Sequence, residues 1–133
     1  MLGDVWTWAG KLRQRETNIG IDPHQIPVAL RNFCDDTLAQ IGDGIRLAYP
    51  AHELAVRFHH HLILIHPFAN GNGRHSRLAT DLLITDLHVE PLAWGGAELT
   101  SPTDLRADYL TALRRADSSS DFVALIEFAR RTS

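Results

Sequence analysis

The sequence predicts an all-α domain, a helical bundle, and three observations carry that prediction. Apolar residues recur three and four apart over most of the 133 residues, the recurrence of helices that each bury one face. Start and stop signals fall between the periodic stretches: Pro27 in a first turn, Ser101-Pro102-Thr103-Asp104 as a cap with proline just inside it, and Gly42, Gly44 and Pro50 as breakers. Only two stretches depart from the helical period, Lys11 to Asp22 and Glu90 to Gly96.

Taken in order, Ile26 to Ile41 is a helix with Val28, Leu30, Phe33, Leu38 and Ile41 on a broad apolar face. A second runs from about Ala51 to Ile65, with Leu54, Phe58, Leu62 and Ile65 inward. A third runs from about Gly73 to Asp86, with Leu78, Leu82 and Leu83 inward. The cap at Ser101 opens a fourth through about Ala116, and Asp121 caps a last one to about Arg131. Thr17-Asn18-Ile19-Gly20-Ile21 reads as a short strand or hairpin, and Glu90 to Gly96 as a loop. No repeat or low-complexity linker divides the chain, so residues 1–133 are one domain. Gly3 to Gly10, with Trp6 and Trp8, reads as core material, which makes a further amino-terminal helix, missing from this chain, the expectation.

Composition narrows the function classes. A chain of 14.9 kDa with 44% hydrophobic residues is an ordinary globular domain able to bury a core. A net charge of −3 and a pI near 6.2 argue against a general nucleic-acid binder, which needs clustered Lys and Arg. Lys11 is the single lysine, so positive charge is nearly all guanidinium. That suits planar recognition of carboxylate or phosphate, although a GC-rich genome produces the same bias. No apolar run approaches the length of a membrane span, and the amino terminus has no basic flank before an apolar stretch. The expectation is a cytoplasmic protein that engages neither membrane nor nucleic acid. Cys34 has no partner for an internal disulfide and no metal-type spacing, so it reads as a buried packing residue.

The chemistry concentrates between His66 and Arg77. Gly71 and Gly73 bracket a turn whose backbone can approach a ligand closely, and its successive N–H groups form an anion-binding concavity. The helix starting there adds the positive end of its dipole. Arg74 and Arg77, three apart, share one side of its first turn, where a cation is unfavourable unless an anion lies beside it. Structural salt bridges to Asp81 or Glu53 are the alternative. His66 ends the preceding helix just before Pro67 and titrates near neutral pH, as a general base must. Alone it would more often be a cap; beside an anion nest it reads as a base. Phe68 reads as a buried anchor of the loop. His59, His60 and His61 are consecutive on a helix, about 100° apart, and cannot converge on one ion. His61 lies near the inner face, where hydrogen bonds would satisfy it; His75 and His88 carry no constellation.

The run His66-Pro-Phe-Ala-Asn70-Gly-Asn72-Gly-Arg74-His-Ser-Arg77 resembles the His-Pro-Phe-x-(Asp/Glu)-Gly-Asn-Gly-Arg-x-x-Arg signature of Fic domains. The likeness extends from Gly3-Asp4-Val5-Trp6 to Tyr109-Leu110-Thr111-Ala112-Leu113, and is similar in detail to the bacterial subgroup called mobile mystery protein B. It implies a Fic-type helical bundle with a small β-hairpin flap. It also implies transfer of AMP from ATP, as co-substrate, to a Ser, Thr or Tyr hydroxyl of a target protein. His66 would take the hydroxyl proton. Asn72 and the Gly71–Gly73 backbone would hold the phosphates, Arg77 the γ-phosphate, and Arg74 the loop and β-phosphate. Residues 11–22, with Thr17, Asn18, Ile19, Gly20 and Ile21, would form the flap that holds a target segment as an added strand. Tyr109 falls where the family often lines its adenine pocket, and packing is an equal reading for it.

Two departures qualify these expectations. Where the family carries the Asp or Glu that binds Mg²⁺, this chain has Asn70, a neutral and weak ligand for a hard cation. Mg²⁺ would then be held mainly by the nucleotide's own phosphates. The family's inhibitory pattern, Ser/Thr-x-x-x-Glu-Gly/Asn, is not found, which leaves inhibition to a missing amino-terminal segment or a partner protein, or leaves this form unrestrained. The competing expectation is a pseudoenzyme that binds nucleotide and acts through protein contacts, favoured by Asn70. Kinase-like transfer of the γ-phosphate, which the resemblance associates with lysine at the motif's second glycine, is disfavoured by Gly73. A toxin of a mobile element is the expected setting for an active enzyme.

Overall fold

The structure is a computed structural model that describes residues 12–14, 20–69, 71–94 and 102–131. After a 3-10 turn at Pro23–Gln25 come five α-helices: α1 (Ile26–Ile41), α2 (Ala51–Ile65), α3 (Asn72–Asp86), α4 (Pro102–Ser119) and α5 (Val123–Arg130). The all-α expectation holds. Among the described residues there is no strand. Thr17, Asn18 and Ile19 of the expected hairpin lie outside the described residues, and the stretches beside them, 12–14 and 20–22, are irregular. Trp6 and Trp8, expected in the core, also lie outside them.

Local chemistry sets the helix ends. The Asp22 carboxylate accepts the His24 backbone N–H at 2.9 Å, and Pro23 follows with φ already set for a turn. Gly42 stops α1, its N–H returning to the Leu38 carbonyl, and Pro50 caps α2. The last two helices differ from expectation only in their bounds: α4 runs on to Ser119, and α5 opens at Val123 because Asp121 receives the Val123 N–H in an Asx turn.

α2 is central, packed against α1, α3 and α5, while α4 packs on α5. One apolar core gathers Leu54, Leu83, Leu92, Leu113, Leu125 and Phe128 around it; a second joins Ile26 and Phe33 to Leu62 and Ile65, with Leu12 and Ile21 against it. Leu54 and Leu125 are fully buried, so truncating either to Ala costs about 2–5 kcal/mol.

Four leucine and valine positions expected inward are exposed: Val28, Leu38, Leu78 and Leu82. On α3 the reason is visible. The face pressed on α2 is Asn72, Ser76, Thr80, Leu83 and Ile84, mostly small and polar, and it meets the buried His59. A hydrophobic stripe cannot report a contact made by hydroxyls. Cys34, expected buried, is exposed on the outer side of α1. His61 is likewise exposed, its ring edge-on to Phe33 with centroids 5.0 Å apart.

Candidate active site

α2 ends and α3 begins within seven residues, and the turn between them is held by one side chain. Asn72, buried at the start of α3, accepts the Phe68 N–H through Oδ1 at 2.9 Å and donates through Nδ2 to the Phe68 carbonyl at 2.7 Å. The two bonds fix which amide atom is which, so Nδ2, a donor only, also faces His66 Nε2 at 3.1 Å. His66 Nε2 therefore accepts, and the neutral ring carries its proton on Nδ1. Asn72, expected as a phosphate holder, acts here as the clamp of the loop and the orienting partner of His66. Phe68, expected buried, is half-exposed and stands edge-on to His75, centroids 4.7 Å apart.

His66 caps α2 in the left-handed region, φ 51° and ψ 62°, its N–H still bonded to the Leu62 carbonyl at 3.1 Å. Pro67 prevents the helix from continuing. Burial first, and then the positive charge of Arg13, hold the His66 pKa below the ordinary 6.5, so the ring is neutral at pH 7. That is the protonation state a base requires.

At the other end of the loop Gly71 caps α3 with φ 74°, a value that favours glycine, and its carbonyl accepts the His75 N–H at 2.9 Å. Gly73 is a different case: a Cβ there would meet no atom of the described residues within 4 Å. Among the described residues nothing excludes a side chain at 73, and Gly71, with no side chain, does not cap the first N–H groups of α3.

Beside this helix start lies a cleft of about 350 Å³ lined by His59, Gly73, Arg74, Arg77, Trp94, Leu105, Arg106, Tyr109 and Phe128. Its lining combines the aromatic rings of Trp94, Tyr109 and Phe128 with three guanidinium groups. Glu53, one suggested structural partner of the arginines, is paired instead with Arg57 at 2.9 Å. Arg77 stands 6.0 Å from the Trp94 ring centroid. Tyr109 is fixed from behind: its hydroxyl bonds His59 Nε2 at 2.7 Å. The Ser76 hydroxyl donates to the His59 carbonyl at 3.0 Å, so His59 Nδ1–H donates to Ser76 Oγ at 2.9 Å, and Nε2 accepts from Tyr109. Burial presses the His59 pKa down to about 4 and lifts the Tyr109 phenol to about 12. Both groups are neutral, and the pair serves as a rigid wall.

The structure thus brings together His66 with Asn72, and Gly73, Arg74 and Arg77 with Tyr109. Asn70, with Thr17 to Ile19, lies outside the described residues. The three consecutive histidines go to different neighbours: His59 to Tyr109 and Ser76, His60 to Asp117 at 2.6 Å, His61 to Phe33. Sequence reasoning missed Arg106 and Trp94, which gave no motif, and Arg13, which sits in the stretch assigned to the flap. The His59 and Tyr109 pair was also missed, although the inward register of His59 beside Leu62 was available.

A model of the Fic/DOC family matches residues 2–84, and the chain belongs to that family. The protein is 28% identical over 109 residues to protein adenylyltransferase fic-1 of Caenorhabditis briggsae, across 82% of this chain and 20% of that protein. It is 27% identical over 113 residues to the Caenorhabditis elegans protein of the same name, with the same coverages. The solved structure of Fic-1 from C. elegans superposes with a TM-score of 0.75 at 24% identity, covering 98% of this chain and 37% of that one. A variant of it superposes at 0.66 with 25% identity, over 95% and 34% of the two chains. The chain spans about a fifth of the length of the curated relatives it matches.

Proposed function

We propose that this domain transfers AMP from ATP to a hydroxyl side chain of a target protein. The observation that carries the reading is the juxtaposition at the loop: a neutral His66 with a basic Nε2, next to an open helix start flanked by Arg74 and Arg77. The named activity of the nematode relatives supports it.

In this reading the base of ATP lies against the aromatic wall of Tyr109 and Trp94. The phosphates lie across the first N–H groups of α3 and between the guanidinium groups, whose charges offset the charge that develops on them. The target hydroxyl displaces the Asn72 amide at His66 Nε2. Its oxygen bonds to the α-phosphorus as its proton passes to Nε2, the bond from the α-phosphorus to the bridging oxygen breaks, and pyrophosphate leaves. The segment at Gly20-Ile21 is the side from which the target approaches. Regulation by a partner or a further segment, and a cytoplasmic setting, belong to the same proposal.

Among the described residues no group of His, Cys, Asp or Glu is arranged to hold a metal ion, and no carboxylate lines the cleft. These residues do not fit a protein-held Mg²⁺, and charge neutralisation falls to arginine and backbone. Together with Asn70 this favours a second reading, a domain that binds nucleotide without transferring it. Purified protein incubated with α-labelled and, separately, γ-labelled ATP and a host lysate decides. Protein-bound α-label that disappears in His66→Ala is the expected result. Nucleotide binding without label on protein selects the second reading, and γ-label on protein removes both.

A further inference from the structure

Arg13 is the buried charge that this chemistry leaves unused. It is 5% exposed, and a buried guanidinium is costly unless its donors are satisfied. Here they reach three backbone carbonyls: Nε donates to His66 O, and Nη2 to Ile21 O and, at 3.3 Å, to Ile65 O. Two of these acceptors are at the C-terminal end of α2, where carbonyls lack helical partners and the helix dipole favours a cation. The third belongs to the chain at Gly20-Ile21. The Arg13 backbone N–H adds a bond to the Pro67 carbonyl at 2.9 Å. Gly20 completes the junction: at φ 103°, a Cβ on it would lie 2.6 Å from both Arg13 Nη2 and His66 Cβ. Two stretches of backbone more than forty residues apart, at Ile21 and at Ile65-His66, meet at one guanidinium.

We infer that Arg13 is a positioning residue that fixes the left-handed backbone of His66, and so the aim of its imidazole, and ties that aim to the chain at Ile21. The inference rests on the reading of His66 as the base. Arg13 does not line the nucleotide cleft, so its removal disturbs the base and the target side and leaves nucleotide binding intact. Glutamine keeps part of the length but carries no charge. Lysine keeps the charge without the planar fork that spans several carbonyls.

The test compares the wild-type chain with Arg13→Gln and Arg13→Lys by two independent readouts. The first is the NMR titration of His66 in histidine-labelled protein without nucleotide; the side chain bonded to its ring, Asn72, is neutral. In Arg13→Gln the His66 titration moves to higher pH, because a positive neighbour has gone. The second is AMP transfer, with kcat separated from the KM for target and from ATP affinity. The kcat falls roughly tenfold to hundredfold, the ratio expected for one lost charge-assisted hydrogen bond, while ATP affinity stays within about twofold, the lost contacts lying outside the ATP cleft. Arg13→Lys recovers part of both. An unchanged His66 titration in Arg13→Gln overturns the inference. So does a parallel loss of ATP affinity and transfer that lysine does not recover, since that marks a general loss of structure. Should the wild type transfer no AMP at all, the reading of His66 as a base fails while the titration still decides Arg13's hold on it.

Discussion

Gly20 and Gly73 stand at opposite ends of the same site for opposite reasons. Gly20 is enclosed: a side chain there would collide with Arg13 and His66, and its φ of 103° suits glycine. Gly73 is open, with ordinary helical backbone and, among the described residues, no atom near its missing side chain. The difference separates the site into an end the protein completes by itself and an end it leaves for a ligand. At the closed end Arg13 and Asn72 engage His66 through backbone and side chain. At the open end a helix start and the exposed Arg74, Arg77 and Arg106 surround a cleft. Under the proposed function, these two ends are the positioned base and the cradle that a group transfer driven by orientation and electrostatics requires.

Substitutions can break this division. The largest effect is expected from His66→Ala, which lowers AMP transfer by about 10²–10⁴-fold, the usual worth of a general base, while the melting temperature barely moves.

Acidification should weaken the wall behind the open end. His59 is depressed to about 4 in the folded protein against 6.5 when exposed, so the unfolded chain takes up the proton first. Stability is full above about pH 6.5 and falls as pH drops toward 4, by about 3 kcal/mol from this residue. His61, His66 and His75 are lowered in the same direction and add to the loss. Denaturant midpoints across that range check this, and His59→Gln should flatten the profile.

Asn72→Ala leaves the Phe68 N–H and carbonyl without their partner and frees the His66 ring. A loss of about 1–3 kcal/mol is expected, together with a fall in transfer larger than any fall in ATP affinity. The glycines sharpen the contrast most finely. Gly20→Ala should destabilise by more than about 1 kcal/mol. Gly73→Ala should leave stability equal or raised by up to about 1 kcal/mol, yet weaken ATP, because its methyl group projects into the phosphate cradle. Paired melting curves and ATP titrations distinguish the two.

The same contrast explains what could be read from the sequence. The open end was legible because it is local: glycines, arginines and a helix start lie within a few residues, and their spacing is their geometry. Helix bounds were legible for the same reason. The closed end, and the wall behind the open one, depend on contacts across fifty residues, Arg13 to His66 and His59 to Tyr109, for which spacing carries no signal. Of the inward face of α3 only Leu83 was read correctly, because Ser76 and Thr80, not Leu78 and Leu82, meet α2. Hydrophobic periodicity finds faces that pack on apolar neighbours, and here the neighbour is an imidazole.

The most direct test of the division is the ATP affinity of His66→Ala, measured by calorimetry beside its AMP transfer. The account predicts that affinity equals the wild type's within about twofold while transfer is lost, because the base end does not build the cradle. Affinity that falls in step with transfer, or transfer that persists without His66, would contradict it.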